Sequence, residues 1–166
     1  MGVHFNADEI FEIAERIEKN GARFYRKAAE NTNDEKARKM LLELADMEDD
    51  HEKTFSEMRK DLQSSDRTPS RFDPDNETAA YLQAFADGHI FDVNSDPCEM
   101  LTGSESIVEV LKMAIGMEKD SVVFYLEMKE MVPPGAGQEK IQHIIGEERK
   151  HIGVLAREVS HAKRAE

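Results

Sequence analysis

The sequence contains one cysteine, no tryptophan and far fewer basic than acidic residues. Because Cys98 is the only cysteine in 166 residues, an internal disulfide and a zinc-ribbon or rubredoxin-type metal site are excluded within this chain. Lys and Arg number 22 against 35 Asp and Glu, which leaves a net charge of −13. This balance argues against nucleic acid and anionic membrane surfaces as partners.

Long apolar runs and targeting signals are missing as well. No stretch approaches the ~18 consecutive apolar residues of a membrane-spanning helix. The first residues, MGVHFNADEIF, contain neither the basic nor the apolar region of a signal peptide. We therefore expect a cytoplasmic protein.

Apolar residues recur at helical spacing in four long stretches, and no stretch alternates as a strand would. The second stretch begins at Asp34, a suitable N-cap. The third begins at Ser104, where the capping box is incomplete because Ile107 occupies the position of the closing Glu or Gln. The four predicted helices cover about Asp8 to Asn31, Asp34 to Gln63, Ser104 to Met131 and Gln138 to Ala162.

The linkers between these helices predict how they pack. Within each pair the linker is only a few residues long, so each pair forms an antiparallel hairpin, at about 8–63 and 104–162. The crossover of about 64–103 is too long for a structureless loop. We expect it to carry a short helix that begins near Asn76-Glu77-Thr78, passes through Ala86 and ends at Gly88. The sequence thus predicts one all-α domain over residues 1–166, a four-helix bundle with a long crossover.

The two hairpins resemble each other when one is laid on the other with a shift of 100 residues. The overlay needs no gap, which indicates two copies of one structural unit. The matches include Glu18 with Glu118, Phe24-Tyr25 with Phe124-Tyr125, Glu48 with Glu148, and His51 with His151.

Polar residues occupy the middle of the apolar stripes that should form the core. An isolated glutamate in so acidic a chain is usually solvated, but these positions are matched across the repeat and share one seam. Burying four carboxylates together costs more than an ordinary core can offset, so we expect cations among them. The inward residues are Glu18, Glu48, His51, Glu118, Glu148 and His151.

Two divalent cations would balance the four carboxylates. In Glu-x-x-His the two side chains lie about 60° apart around the helix and can reach one point. Carboxylate oxygens combined with imidazole nitrogens suit iron or manganese. We expect two iron ions per chain, replaceable by Mn or Zn, with Glu48 and Glu148 as bridges. The terminal ligands are then Glu18, His51, Glu118 and His151.

The remaining candidates are assigned other roles. Glu158 and His161 have the same spacing but no counterpart in the first hairpin, so we expect them in solvent. Tyr25 and Tyr125 are expected to hydrogen-bond to the ligands rather than to take part in redox chemistry. Cys98 lies in a turn-like segment and is not expected to be catalytic. The other histidines are assigned to the surface or to helix caps: His4, His89 and His143.

Four segments of the chain resemble the motifs of the rubrerythrin-like branch of the ferritin-like superfamily. They are IEKNGARFY around Glu18, MEDDH around Glu48, MEKDSVVFY around Glu118 and EERKH around Glu148. The crossover segment TAAYLQAFADGHIF is similar to the linker helix of these proteins. The resemblance implies a ferritin-like bundle, a non-haem di-iron centre and a homodimer with possible helix exchange. It also implies reduction of hydrogen peroxide or oxidation of ferrous iron.

The chain departs from the rubrerythrin pattern in two respects. Full rubrerythrins carry a rubredoxin domain with four cysteines, whereas this chain has a single cysteine. A peroxidase cycle here would therefore need a separate electron donor such as a rubredoxin. Rubrerythrins also have a glutamate where this chain has Ser121, and that glutamate exchanges with the histidine matching His51 as one iron moves. We therefore expect His51 to stay bound in both oxidation states, in a more symmetrical centre.

These observations leave alternative functions open. The first is a di-iron oxidoreductase, of peroxidase or ferroxidase type, that consumes peroxide or dioxygen and protects the cell against oxidative stress. The second is a non-catalytic iron-binding protein for storage, buffering or sensing. The third is a purely structural helical dimer.

Overall fold

A computed structural model of the chain describes residues 6–63, 77–86, 95–132 and 135–165. Within these residues the chain is helical and contains no strand, which confirms the predicted all-α class. The elements are α1 (Ala7–Asn31), α2 (Glu35–Lys60), α3 (Glu77–Ala86), a 3₁₀ helix (Pro97–Met100), α4 (Ile107–Met131) and α5 (Gln138–Ala165). Among the described helices, none has the length and apolar character that crossing a bilayer requires.

The starts of the long helices are set by local hydrogen bonds. Asp34 is the N-cap of α2, as expected, and its side chain accepts from the backbone of Lys36. The prediction that Ser104 opens the third helix is wrong, because the N-cap is Ser106. Ser106 and Glu109 form a complete capping box, which satisfies two backbone N–H groups that would otherwise lack partners.

The remaining helix ends differ slightly from the prediction. Helix α1 begins at Ala7, after Asn6 and Glu9 form a capping box of their own. Helix α2 ends at Lys60 rather than near Gln63, and α5 continues to Ala165 rather than ending near Ala162. None of these differences moves an inward residue, because all six inward residues lie in the interior of their helices.

Among the residues that the structure describes, the bundle core consists of two apolar clusters at opposite ends of the four long helices. One joins the beginning of α1 to the end of α2 and includes Phe11, Phe55 and Phe124. The other joins the end of α1 to the beginning of α2 and includes Phe24 and Leu41. The paired helices are therefore antiparallel, and the middle of the bundle lies between two water-excluding layers.

Helix α3 closes one end of the bundle. Leu82 and Phe85 are almost fully buried, and the Phe85 ring lies 4.7 Å from that of Phe124. The predicted short helix of the crossover is thus confirmed, whereas its expected boundary residues, Asn76 and Gly88, lie outside the described residues.

Candidate metal centre

The six inward residues lie together in the middle of the bundle, in what we call the polar layer. Helices α1 and α4 each contribute one glutamate, and α2 and α5 each contribute a Glu-x-x-His pair. Every member is at least 95% buried: Glu18 1%, Glu48 4%, His51 5%, Glu118 3%, Glu148 0% and His151 2% exposed.

One half of the polar layer is a group of four donors around His51, which we call the first donor set. It consists of Glu18, Glu48, His51 and Glu148, whose ligand atoms lie within 4.8 Å of one another. Nδ1 of His51 is 2.8 Å from Oε1 of Glu148 and 3.4 Å from Oε2 of Glu18. These separations are short enough for one cation to contact all four residues.

The other half, the second donor set, is formed around His151. It consists of Glu48, Glu118, Glu148 and His151, again with ligand atoms within 4.8 Å of one another. Nδ1 of His151 is 3.0 Å from Oε2 of Glu148, 3.2 Å from Glu48 and 3.5 Å from Glu118. The two sets share Glu48 and Glu148, the residues for which the sequence predicted a bridging role.

The polar atoms of this layer lack the hydrogen bonds that buried groups normally make. Within the described part of the chain, no hydrogen-bond partner exists for Nδ1 of either histidine, for both oxygens of Glu148, or for one oxygen each of Glu18 and Glu48. Leaving a buried polar atom unpaired costs roughly 1–3 kcal/mol, and here such atoms converge on two points. The donor set therefore fits two cations with a preference for oxygen and nitrogen ligands.

Two tyrosines orient the terminal glutamates, and each reaches across to the other hairpin. The hydroxyl of Tyr25 donates to Oε1 of Glu118, and that of Tyr125 donates to Oε1 of Glu18. The expected hydrogen bonds from both tyrosines to the inward carboxylates are thus confirmed. At Glu18 this leaves Oε2, which lies 3.4 Å from Nδ1 of His51. At Glu118 the Oε1 atom that accepts from Tyr25 also lies 3.5 Å from Nδ1 of His151.

Without a cation the carboxylates raise each other's pKa. Burial, and then repulsion by neighbouring carboxylates, raises the pKa of Glu48 well above its usual value. Burial and repulsion by Glu148 raise the pKa of Glu118 from 4.5 to about 8, against the attraction of His151. The cluster thus holds protons that a divalent cation would displace.

The histidines respond in the opposite way to their surroundings. Burial acts to lower the pKa of His51, but the adjacent carboxylates of Glu148 and Glu18 raise it to about 11. Burial is likewise outweighed at His151, where Glu118 and Glu148 raise the pKa to about 9. Burial acts to raise the pKa of Glu148, yet the two histidines help to lower it.

Two small residues border the second donor set. A Cβ atom placed on Gly21 would lie only 2.7 Å from Oε2 of Glu48, so glycine allows that carboxylate to lie against α1. Its repeat counterpart, Ser121, is buried and donates to the backbone oxygen of Met117 at 3.1 Å. A cavity of about 10 Å³ between them, also lined by Glu118, is about the size that one water requires.

A residue that sequence reasoning missed contacts the first donor set from outside. Nε2 of His51 lies 3.0 Å from Oε2 of Glu147, the residue before Glu148. Glu147 also approaches Nε2 of His143 at 3.5 Å. The repeat gave no signal for this residue, because the position that matches Glu147 is Met47.

The other sequence candidates that the structure describes lie away from the polar layer. The side chain of His161 is 53% exposed, whereas that of Glu158 is only 16% exposed and pairs with Lys36 at 3.3 Å, so the expectation of a solvent position holds for His161 alone. His143 is exposed, Cys98 is a free thiol in the 3₁₀ helix, and its Sγ lies 3.6 Å from the backbone oxygen of Arg23. His4 and His89 lie outside the described residues.

Comparisons with known proteins agree with this geometry. A family model described as rubrerythrin matches residues 5–90. The chain is also similar to a crystal structure from Thermotoga maritima of a protein assigned as ferritin-like and diiron-carboxylate. The two share 28% sequence identity and a TM-score of 0.75, over 95% of this chain and 96% of that chain. No curated protein matches the chain. The structural similarity confirms the ferritin-like form of the predicted bundle.

Proposed function

The chain belongs to the rubrerythrin family, and on this premise we propose that it is a di-iron oxidoreductase. Its substrate would be peroxide or dioxygen. Electrons would come from outside these 166 residues, since their single cysteine cannot form the four-cysteine iron site of a rubredoxin. The diiron-carboxylate assignment of the Thermotoga maritima protein supports iron as the metal.

The observation that carries this proposal is the pair of overlapping donor sets. Four carboxylates and two imidazoles offer two groups of four ligands that share Glu48 and Glu148. Two iron ions held there would supply the electrons that reduce the oxidant. Glu48 and Glu148 would hold both ions, and each of the other four residues would hold one.

The surrounding residues prepare the polar layer for this chemistry. The apolar clusters on both sides exclude bulk water, which strengthens the attraction between the carboxylates and a cation. Tyr25 and Tyr125 fix the orientation of the terminal glutamates. The cavity between Gly21 and Ser121 would admit only a very small oxidant.

Steady-state peroxide consumption tests the proposal. Iron-loaded protein is supplied with a rubredoxin, a rubredoxin reductase and a reduced pyridine nucleotide, and many turnovers of peroxide per chain are expected. The His151→Ala variant should lose most of this activity, whereas His161→Ala, which removes an exposed histidine, should retain it.

The same assay separates catalysis from iron buffering. A non-catalytic iron-binding protein would undergo at most one stoichiometric oxidation of its bound iron and would then stop. That result, with two iron ions bound per chain, would refute the oxidoreductase and leave the metal centre standing. A chain that binds no iron after anaerobic loading would refute both.

A further inference from the structure

The polar layer is matched across the repeat, but the groups behind its two histidines are not. Nε2 of His51 lies 3.0 Å from a carboxylate oxygen of Glu147. Nε2 of His151 is also buried, yet it has no hydrogen-bond partner in the part of the chain that the structure describes. The two donor sets therefore differ in the residue that stands behind the histidine ligand.

This difference originates in one position of the repeat. Glu147 belongs to α5 and contacts His51 of α2. The residue 100 positions earlier in the sequence, which the repeat matches to Glu147, is Met47. A methionine thioether is only a weak acceptor, whereas a carboxylate accepts strongly from an imidazole N–H. The side chain of Glu147 is 33% exposed. It therefore contacts His51 from the edge of the bundle and is not itself one of the buried residues of the polar layer.

A partner at one nitrogen of an imidazole decides which nitrogen can bind a metal. A neutral histidine has a single N–H, and the group that accepts its hydrogen bond fixes the tautomer. When a metal ion displaces the proton from Nδ1, Glu147 accepts from Nε2–H of the neutral His51, and the lone pair of Nδ1 is left on the side of the polar layer. Such outer carboxylates also orient the ring and raise its basicity as a ligand.

We propose that Glu147 is a positioning residue that makes the two donor sets unequal. By holding His51 in the Nε2–H tautomer, it makes the first donor set the tighter site, and that set fills before the second. This inference rests on the proposed function only in requiring that the polar layer binds two metal ions. Removal of an outer partner of a ligating histidine typically weakens metal binding by about 10–100-fold, which is the expected separation between the two binding steps.

Titration of the metal-free protein with Co²⁺ under anaerobic conditions tests the inference, because Co²⁺ gives visible bands that report each step. The unmodified chain should bind two ions in two resolved steps. Glu147→Ala should weaken the first step by about 10–100-fold and merge it with the second. Glu147→Gln should restore most of the separation, since the amide oxygen still accepts from Nε2–H.

A matched control removes the same charge nearby. Glu139 is exposed and lines the same cleft between α2 and α5 as Glu147, so Glu139→Ala should leave both steps unchanged. The Zn²⁺-loaded protein gives an independent readout, because the Nε2–H proton of His51 should be visible by NMR as a slowly exchanging downfield signal. Glu147→Ala should make that proton exchange faster.

Three results would overturn the inference. They are two equal binding steps in the unmodified chain, a Glu147→Ala protein that behaves like Glu139→Ala, or a Glu147→Gln protein as weak as Glu147→Ala. All three leave the metal centre and the proposed function intact. Failure of the unmodified chain to bind any Co²⁺ would instead refute the centre itself.

Discussion

The substitution Gly21→Ala places one methyl group against the carboxylate of Glu48 and thus tests the centre from outside its ligands. The new Cβ would lie 2.7 Å from Oε2, 3.2 Å from Cδ and 3.4 Å from Cγ of Glu48. The first distance is shorter than a non-bonded contact allows, so the carboxylate must move. Glu48 belongs to both donor sets. We therefore expect its displacement to lower the affinity of the protein for both metal ions.

The expected free energies distinguish the metal-free from the metal-bound protein. Alanine in place of glycine inside a helix stabilises by about 0.8–1 kcal/mol, and crowding in a packed interior costs about 1–3 kcal/mol. The free energy of unfolding of the metal-free Gly21→Ala protein should therefore be unchanged or lower by up to about 2 kcal/mol. The larger effect should appear when metal is added.

Metal at about 100 times its Kd stabilises a protein by about 2.7 kcal/mol. A tenfold loss of affinity at the same concentration reduces this gain to about 1.4 kcal/mol, and a hundredfold loss to about 0.4 kcal/mol. For a chain of this size about 1 kcal/mol corresponds to 2–4 °C. For each ion bound at this concentration, the Tm of the unmodified protein should rise by about 5–11 °C, and that of Gly21→Ala by only about 1–6 °C.

Thermal unfolding followed by circular dichroism, with and without Co²⁺ at pH 7, measures both quantities. Gly116→Ala and Gly153→Ala are matched controls, since a Cβ on either of these helical glycines would meet nothing within 4 Å. Both should raise the Tm slightly and leave the metal effect unchanged. A Gly21→Ala protein with the full metal effect would refute the placement of Glu48 as a shared ligand.

Three further predictions follow from the polar layer. Glu48→Ala should lose both metal ions by elemental analysis, whereas His161→Ala should lose none, and equal losses would contradict the choice of ligands. Tyr25→Phe removes the hydroxyl that donates to the buried Glu118 and should lower the unfolding free energy of the metal-free protein by about 1–3 kcal/mol, measured by urea denaturation; an unchanged midpoint would argue against that bond. The folded pKa values of Glu118, about 8, and His151, about 9, are both raised, so their contribution to stability is present at low pH and is lost as the pH rises through those values. The Tm of metal-free protein should therefore fall between about pH 5 and pH 9, while the gain in Tm on adding metal grows; a metal effect equal at both ends of this range would contradict a site built from buried carboxylates.

The main elements of the fold could be predicted because their signals are local. Helical periodicity defined α1, α2, α4 and α5, and the Asp34 cap depends on residues only two and three positions away. The start of α4 was misplaced because Ser104 and Ser106 are both suitable caps, and only Ser106 has a glutamate three residues on.

The polar layer was predictable because each of its positions occurs twice. The repeat identified the six inward residues, and the structure brings all six together. It could not identify Glu147, since the contact with His51 joins positions 96 residues apart and occurs in one hairpin only. The crossing of the tyrosines to the opposite hairpin was equally invisible, because it depends on how the hairpins pack.

Several predictions from the sequence remain predictions. They concern the homodimer, the cytoplasmic location, the rubredoxin-like electron donor and the single-domain extent of the chain. Retention of His51 as a ligand in both oxidation states belongs to the same group. It is tested by Ser121→Glu, which should introduce a carboxylate able to exchange with that histidine.

The hairpin repeat carried on a single chain has a consequence for how this centre can change. If two separate identical hairpins formed the same layer, every substitution would appear twice, and a mutation that tuned one ion would alter the other equally. Here each half has its own codons, so position 47 can be methionine while position 147 is glutamate, and position 21 can be glycine while position 121 is serine. Joining the halves thus lets the ligands stay paired while their neighbours diverge, and the two ions can be adjusted one at a time.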